Sequence, residues 1–255
     1  MEQFKYPKYK FFENKLSAEK FLADEINNYI KTKPNSILSF EANNEFFNLY
    51  NLISEKAKQT QTTYKDVIFF CPSEVCPSDT NNINLTSYNF LSENFVSKID
   101  ANWNNFLCMF DPNIAQTPNT ELLEFEQYII QQGNIDILIL SVGNDGSLLM
   151  NFPLADSNSK TRTISINEYY SQNSNSSEKN DCWATLGLKT ISNSKKIYIL
   201  MFGSDKKEIL SNFFFGDGFD PNLPISCLRN NSNTIIIADT EAAEIILMHS
   251  EKSNN

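Results

Sequence analysis

Histidine is almost missing from this chain: among 255 residues there is one, His249. It follows the last apolar run and reads as part of a polar tail, so no imidazole in the body of the chain is placed to act as base, acid or metal ligand. Ser-His, Cys-His and His-metal mechanisms are disfavoured for that reason. Five cysteines, Cys71, Cys76, Cys108, Cys182 and Cys227, make an odd number with no CxxC pair, so neither a disulfide framework nor a zinc knuckle is indicated. No metal and no cofactor is expected. Basic residues are also scarce, with 21 Lys and Arg against 31 Asp and Glu and a net charge of −10. Arginine occurs only at Arg162 and Arg229. Without a basic cluster the chain repels nucleic acid and anionic membranes. The first residues, MEQFKYPKYKFF, alternate charge with aromatics and contain no apolar core of signal-peptide length. No later apolar run nears the ~20 residues that span a bilayer, and the expectation is a soluble, cytoplasmic protein.

What is present has a clear rhythm. Apolar runs recur at 36–40 (SILSF), 66–70 (DVIFF), 106–110 (FLCMF), 135–140 (IDILIL), 196–202 (KIYILMF) and 233–238 (NTIIIA). They are continuous rather than alternating, as strands buried on both faces are. Helical periods lie between them: Ser17 is placed to cap a helix carrying Phe21, Leu22, Ile26, Tyr29 and Ile30 on one side. Asn119 or Thr120 opens another with Leu122, Leu123, Phe125, Tyr128 and Ile129 inward, and Gly133 stands where a terminating glycine belongs. Helices also fit 45–58, 86–97 and 205–214. The pattern predicts one α/β domain over residues 1–255, a Rossmann-like, mostly parallel sheet with helices on both faces. Residues 156–182 are rich in Ser and Asn; TRTISI within them fits an edge strand, and 167–182 reads as a mobile loop.

Ligands of such sheets bind beyond the carboxyl ends of the strands. That directs attention to the turns after Phe40, Phe70, Leu140 and Phe202, and above all to SVGNDGSLLMNFP at 141–153. In the order in which they occur, this stretch, TSYNFLSENF (86–95), TLGLKTI (185–191), FGSDKK (202–207) and LPISCLR (223–229) resemble the glucosamine-6-phosphate deaminase and 6-phosphogluconolactonase superfamily. The GSDK and ISCL pieces resemble its deaminase branch more closely.

The resemblance implies a site that opens a sugar ring through a histidine oriented by acids, moves a proton with a carboxylate, and holds phosphate on a Gly-rich turn with cations. Asp145 matches the family's loop aspartate, and Gly143, Asn144 and Gly146 keep the turn. Ser147, however, stands where the family has histidine, Phe152 where it has the orienting glutamate, and Ser73 where it has the proton-abstracting aspartate. Glu74 remains acidic but is shifted by one position, which on an extended chain faces the other way; it reads as a solvated loop residue. In the phosphate turn, Asn43 and Asn44 replace two glycines, with left-handed backbone angles still open to them. Glu41 and Glu45 flank that turn, and a carboxylate about 4 Å from a phosphate charge opposes it by about 4 kcal/mol at an effective dielectric near 20. Lys206 matches the phosphate lysine. Arg162 resembles an arginine used by some members for an allosteric sugar phosphate.

The remaining ligand set is thus Asn43, Asn44, Gly143, Asn144 and Lys206, with Asp145 and Glu74 as the only acidic candidates for catalysis. Asn-Asp-Gly is also an ordinary turn, in which Asp145 caps its own backbone. The leading reading is a diverged, catalytically silent member that keeps the fold and a reduced sugar-phosphate or anion pocket. Two alternatives stand beside it: an active phosphosugar enzyme with a rearranged site using Asp145 or Glu74, and an interaction subunit of a mixed oligomer. Homo- or hetero-oligomers are both open.

Overall fold

The computed structural model describes residues 7–76, 86–111, 119–165 and 182–252. Seven strands, β1 (Lys8–Phe12), β2 (Ile37–Phe40), β3 (Ile68–Phe70), β5 (Phe106–Leu107), β6 (Ile137–Ser141), β9 (Ile197–Met201) and β10 (Thr234–Asp239), form one sheet in the order β1-β10-β9-β6-β2-β3-β5. Every neighbouring pair is parallel. Three short strands, β4 (Ser73–Val75), β8 (Cys182–Thr185) and β7 (Arg162–Ser165), make a separate antiparallel sheet in the order β4-β8-β7.

The continuous apolar runs have a direct cause in this layering. Along β6, Ile137 and Ile139 face one core with α1 (Lys15–Thr32), α2 (Phe47–Thr60) and α3 (Thr86–Asn94). Leu138 and Leu140 face the other, with α4 (Asn119–Gln131), α5 (Leu188–Ser192), α6 (Lys207–Phe215) and α7 (Glu244–Lys252). All four side chains are within 1% of complete burial, and each such aliphatic group contributes roughly 1.5–3 kcal/mol over leaving it in water. The expected parallel sheet covered on both faces is therefore present.

Several local expectations are corrected. The cap of α1 is Asn14, whose side chain accepts the Ser17 N–H at 3.0 Å and the Ser17 hydroxyl; Ser17 lies inside the helix. FLCMF contributes only Phe106–Leu107 to the sheet. The run KYKFF near the start, read as mere alternation of charge and aromatics, is edge strand β1, whose half-exposed period-2 pattern is what a strand covered on one side shows. TRTISI does supply an edge strand, β7, in the small sheet. Of the segment 167–182, residues 167–181 lie outside the described residues and Cys182 opens β8. Gly133 terminates α4 at φ 86°, a left-handed angle that favours glycine. His249 is not in a tail: it lies within α7.

At the amino ends of β2 and β6, Asp136 is 1% exposed. Its carboxylate accepts the Ile37 N–H at 2.9 Å, the Tyr29 hydroxyl at 3.1 Å, and the ammonium groups of Lys33 at 2.5 Å and Lys195 at 2.9 Å. Burial alone would raise its pKa, but the hydrogen bonds from Lys33, Lys195 and the Ile37 amide outweigh it and hold the carboxyl below the ordinary aspartate range. A depressed pKa gives stability that is full above the unfolded value near 3.9 and is lost as pH falls through the folded one. Replacing Asp136 with Ala should lower stability by about 1–3 kcal/mol, since it leaves the buried Ile37 N–H without its acceptor, while Lys33 and Lys195, each more than a third exposed, return to water. Urea unfolding between about pH 5 and pH 2 should show wild type losing this increment with acid, and the variant, already without it, falling less steeply. Parallel acid dependence in the two proteins would contradict the assignment.

Candidate functional site

The chain builds β2, β3 and β5 toward one edge, then crosses back to place β6 on the other side of β2 and continues through β9 to β10. Strand order reverses between β2 and β6, so the segments leaving their carboxyl ends part there and open a crevice. Glu41, the residue after β2, is bonded across this reversal to the end of β6. Its carboxylate accepts the Ser141 N–H at 2.7 Å and the Ser141 hydroxyl at 2.9 Å and 3.0 Å, and the Asn43 amide donates to the same hydroxyl at 3.2 Å. Burial pushes the Glu41 carboxyl above the usual glutamate range, opposed by the Ser141 and Asn43 donors and reinforced by the nearby Glu45 charge. The sequence marks Glu41 only as an obstacle to phosphate. A glutamate directly after a fully buried strand was the signal that it bonds within the fold.

Asn43 takes an extended conformation (φ −134°) and caps the single turn Asn44–Phe46 by accepting the Glu45 N–H at 2.9 Å, while Asn44 begins that turn exposed to solvent. Neither uses the left-handed angles expected of a residue replacing glycine; among non-glycine described residues those occur at Gln61, Asn134, Leu149 and Leu154.

The loop after β6 keeps its tight form. Asp145 accepts the Ser147 N–H at 3.0 Å, the Gly146 N–H bonds to the Gly143 carbonyl and the Gly143 N–H to the Ser147 carbonyl, each at 2.9 Å. Asp145 thus fills the turn-capping role. Gly146 sits at φ 79°, and a Cβ there would lie 2.4 Å from the Leu223 side chain. A Cβ on Gly143 would lie 2.2 Å from the Ser147 hydroxyl, so that hydroxyl is tucked against the loop's own backbone and is buried. Phe152 is half-buried two residues beyond the turn at Leu149–Met150. Between them the fully buried Asn151 donates to the Leu148 and Leu186 carbonyls at 2.8 Å and accepts from Arg162 at 2.9 Å, tying the loop to the small sheet.

Lys206 reaches this loop from the start of α6. Its ammonium donates to the Asn144 side chain and lies 3.3 Å from Asp205. Behind it, Asp239 at the end of β10 accepts the Gly203 N–H at 3.0 Å and the Ala242 N–H at 2.9 Å. Asp145 also borders a cavity of about 820 Å³ with Asp217, Asp220, Phe219 and Arg229. The Arg229 guanidinium is already occupied by the carbonyls of Asn212, Phe213 and Gly218 at 2.7, 3.0 and 2.8 Å.

Glu74 goes elsewhere. The expectation of a solvated loop residue is wrong: it is 2% exposed, on β4. Its carboxylate accepts the N–H groups of Tyr88 at 2.7 Å, Val75 at 2.8 Å and Ser87 at 3.1 Å, and so holds the first turn of α3. Burial raises its pKa, and these amides oppose the rise without cancelling it. Ser73 pairs with Thr185 and points to the opposite face of β4, in the row that also contains Arg162. The structure therefore gathers Asn43, Asn144, Asp145 and Lys206 around the carboxyl ends of β2, β6 and β9, and assigns Glu74 to the scaffold. Among the described residues no three His, Cys, Asp or Glu side chains converge as metal ligands would, and all five cysteines are free thiols. No helix among the described residues is long and apolar enough to cross a membrane.

The lone histidine is remote from this edge. Lys207 and Glu244 pair at 3.1 Å where α6 and α7 begin, while the rings of Phe215 and His249 meet at 4.9 Å where α6 ends. The two contacts are eight residues apart on α6, roughly 12 Å at 1.5 Å per residue, and five apart on α7, roughly 7.5 Å.

A doubly wound α/β domain whose loops part at the β2/β6 reversal defines the class. The family model for glucosamine-6-phosphate isomerases/6-phosphogluconolactonase matches residues 43–237, and the chain belongs to that family. A glucosamine-6-phosphate deaminase of Malacoplasma penetrans is 28% identical over 214 residues, covering 81% of this chain and 87% of that protein. One from Clostridium botulinum is 33% identical over 138 residues, 52% of this chain and 56% of its own. Among solved structures, a monomeric glucosamine-6-phosphate deaminase superposes with a TM-score of 0.80 at 20% identity, over 93% of this chain and 99% of that one. The 6-phosphogluconolactonase of Trypanosoma brucei gives 0.69 at 15% identity, over 94% and 98%.

If Glu74 caps α3, Glu74→Ala should cost about 1–2 kcal/mol and speed hydrogen exchange at the Ser87 and Tyr88 amides by roughly tenfold or more. Unchanged exchange at both amides would show that the carboxylate does not hold this helix.

Proposed function

We propose that this protein is a diverged, catalytically silent member of its family that retains a reduced ligand pocket at the carboxyl edge of the sheet. The observation carrying the reading is the position of the only imidazole, at the far end of α6 from Lys206, which reaches the Asp145 loop. The relatives' names specify deamination of glucosamine 6-phosphate or hydrolysis of a phosphogluconolactone. Ring opening of the amino sugar requires a proton moved to and from a ring oxygen, and in this family that task resembles work for the histidine that Ser147 replaces. A serine hydroxyl is a poor proton shuttle at neutral pH, and this one is buried against Gly143.

The carboxylates support the same reading. Glu74 is engaged by three amides and Asp145 by the Ser147 amide, so neither is presented as an unengaged base. Acid–base groups each contribute about 10²–10⁴ in rate, and groups working as a unit fail together.

A second reading has one specific support: Glu41, with its raised pKa, has the character of a general acid on a rearranged site. It predicts turnover that disappears in Glu41→Gln. The silent reading predicts no ammonia or fructose 6-phosphate from glucosamine 6-phosphate, and no hydrolysis of 6-phosphogluconolactone above the uncatalysed rate, with an active deaminase as control. Robust turnover abolished by Asp145→Asn or Glu41→Gln would overturn it.

A further inference from the structure

Ligands of doubly wound sheets bind beyond the carboxyl ends of the strands at the strand-order reversal, and the Ser141 N–H and hydroxyl are the donors that the end of β6 brings there. In this chain a carboxylate already occupies them. The Ser141 N–H and hydroxyl, the two donors at the end of β6, are both taken by Glu41, and the Asn43 amide completes the network. We infer that Glu41 is an internal anion that sets ligand specificity: the crevice excludes phosphate and accepts an end group that is neutral or cationic, as in an unphosphorylated hexose or hexosamine. The inference rests on the reading of this edge as a ligand pocket and narrows what enters it.

Three further features agree. Lys206, the cation nearest the loop, is shared between Asn144 and Asp205. Glu45 lies on the turn that follows β2 and adds its charge to that of Glu41. The donors in the segments after β9 and after β10 are likewise taken, since Asp239 accepts from Gly203 and Ala242. An incoming phosphate would have to displace a hydrogen-bonded carboxylate and then sit beside it, whereas a sugar hydroxyl or ammonium can donate to that carboxylate where it stands.

The test compares wild type with Glu41→Gln, which keeps the shape and an acceptor for the Ser141 amide, and with Ser141→Ala, which leaves the charge in place. Inorganic phosphate, glucosamine 6-phosphate and glucosamine are titrated by calorimetry and by thermal shift at constant ionic strength. Wild type and Ser141→Ala should show no phosphate binding at millimolar concentration, and wild type should take glucosamine in preference to its 6-phosphate. Glu41→Gln should bind inorganic phosphate and glucosamine 6-phosphate at least tenfold more tightly than wild type does. Phosphate binding by wild type equal to that of the variant would overturn the inference, as would a Glu41→Gln protein that melts cooperatively yet gains no affinity for either anion. Turnover of glucosamine 6-phosphate by wild type would instead refute the silent-member reading, so the two failures are separable.

Discussion

The central strand pair β2/β6 is clamped at both ends by carboxylates that work in opposite directions. Asp136, just before β6, accepts the Ile37 N–H of β2; Glu41, just after β2, accepts the Ser141 N–H of β6. The two strands lie inside the sheet, with β3 beyond β2 and β9 beyond β6, and the carboxylates take the Ile37 and Ser141 N–H groups at the two ends of their shared edge. A buried orphan donor costs about 1–3 kcal/mol, and each carboxylate removes one. The two clamps differ in their balance. Asp136 has two lysines to offset its burial, and its pKa is lowered. Glu41 has only neutral donors and a second carboxylate nearby, and its pKa is raised.

That asymmetry connects the scaffold to the site. The amino end of the pair is an ion-paired anchor, while at the carboxyl end the Glu41 carboxyl is held by neutral donors alone. The same economy recurs around the carboxyl edge, where Asp145, Asp239 and Glu74 each accept backbone N–H groups of nearby loops or helix starts. Functional sites on this kind of fold need donors left open and acids left poised. Here the loop after β6 keeps a tight turn, and these acidic groups are bonded inward.

Much of the fold was legible because burial on both faces of a parallel sheet leaves uninterrupted runs such as IDILIL, and because glycine at a left-handed angle marks a helix end at Gly133. The short strands β4 and β8 were not legible. Three or four residues stabilised by pairing with distant partners leave no period to detect, and β1 was obscured by its polar outer face. The site was partly legible: the loop 143–147 and Lys206 do meet through Asn144. Glu74 was misjudged because the one-residue shift correctly predicts the opposite face of β4 but says nothing about what lies there, and the amino end of α3 lies there.

The sequence by itself determined which groups exist. One imidazole, hydroxyls at positions 73 and 147 and a phenyl ring at 152 limit proton transfer wherever the chain places them, because a missing functional group is missing in every conformation. Only the tertiary structure decided what the remaining charges do. A carboxylate is a base, a ligand or a cap according to the donors within about 3 Å of it, and for Glu41, Glu74 and Asp136 several of those donors come from residues 12 to 107 positions away along the chain, brought there by sheet order and helix packing.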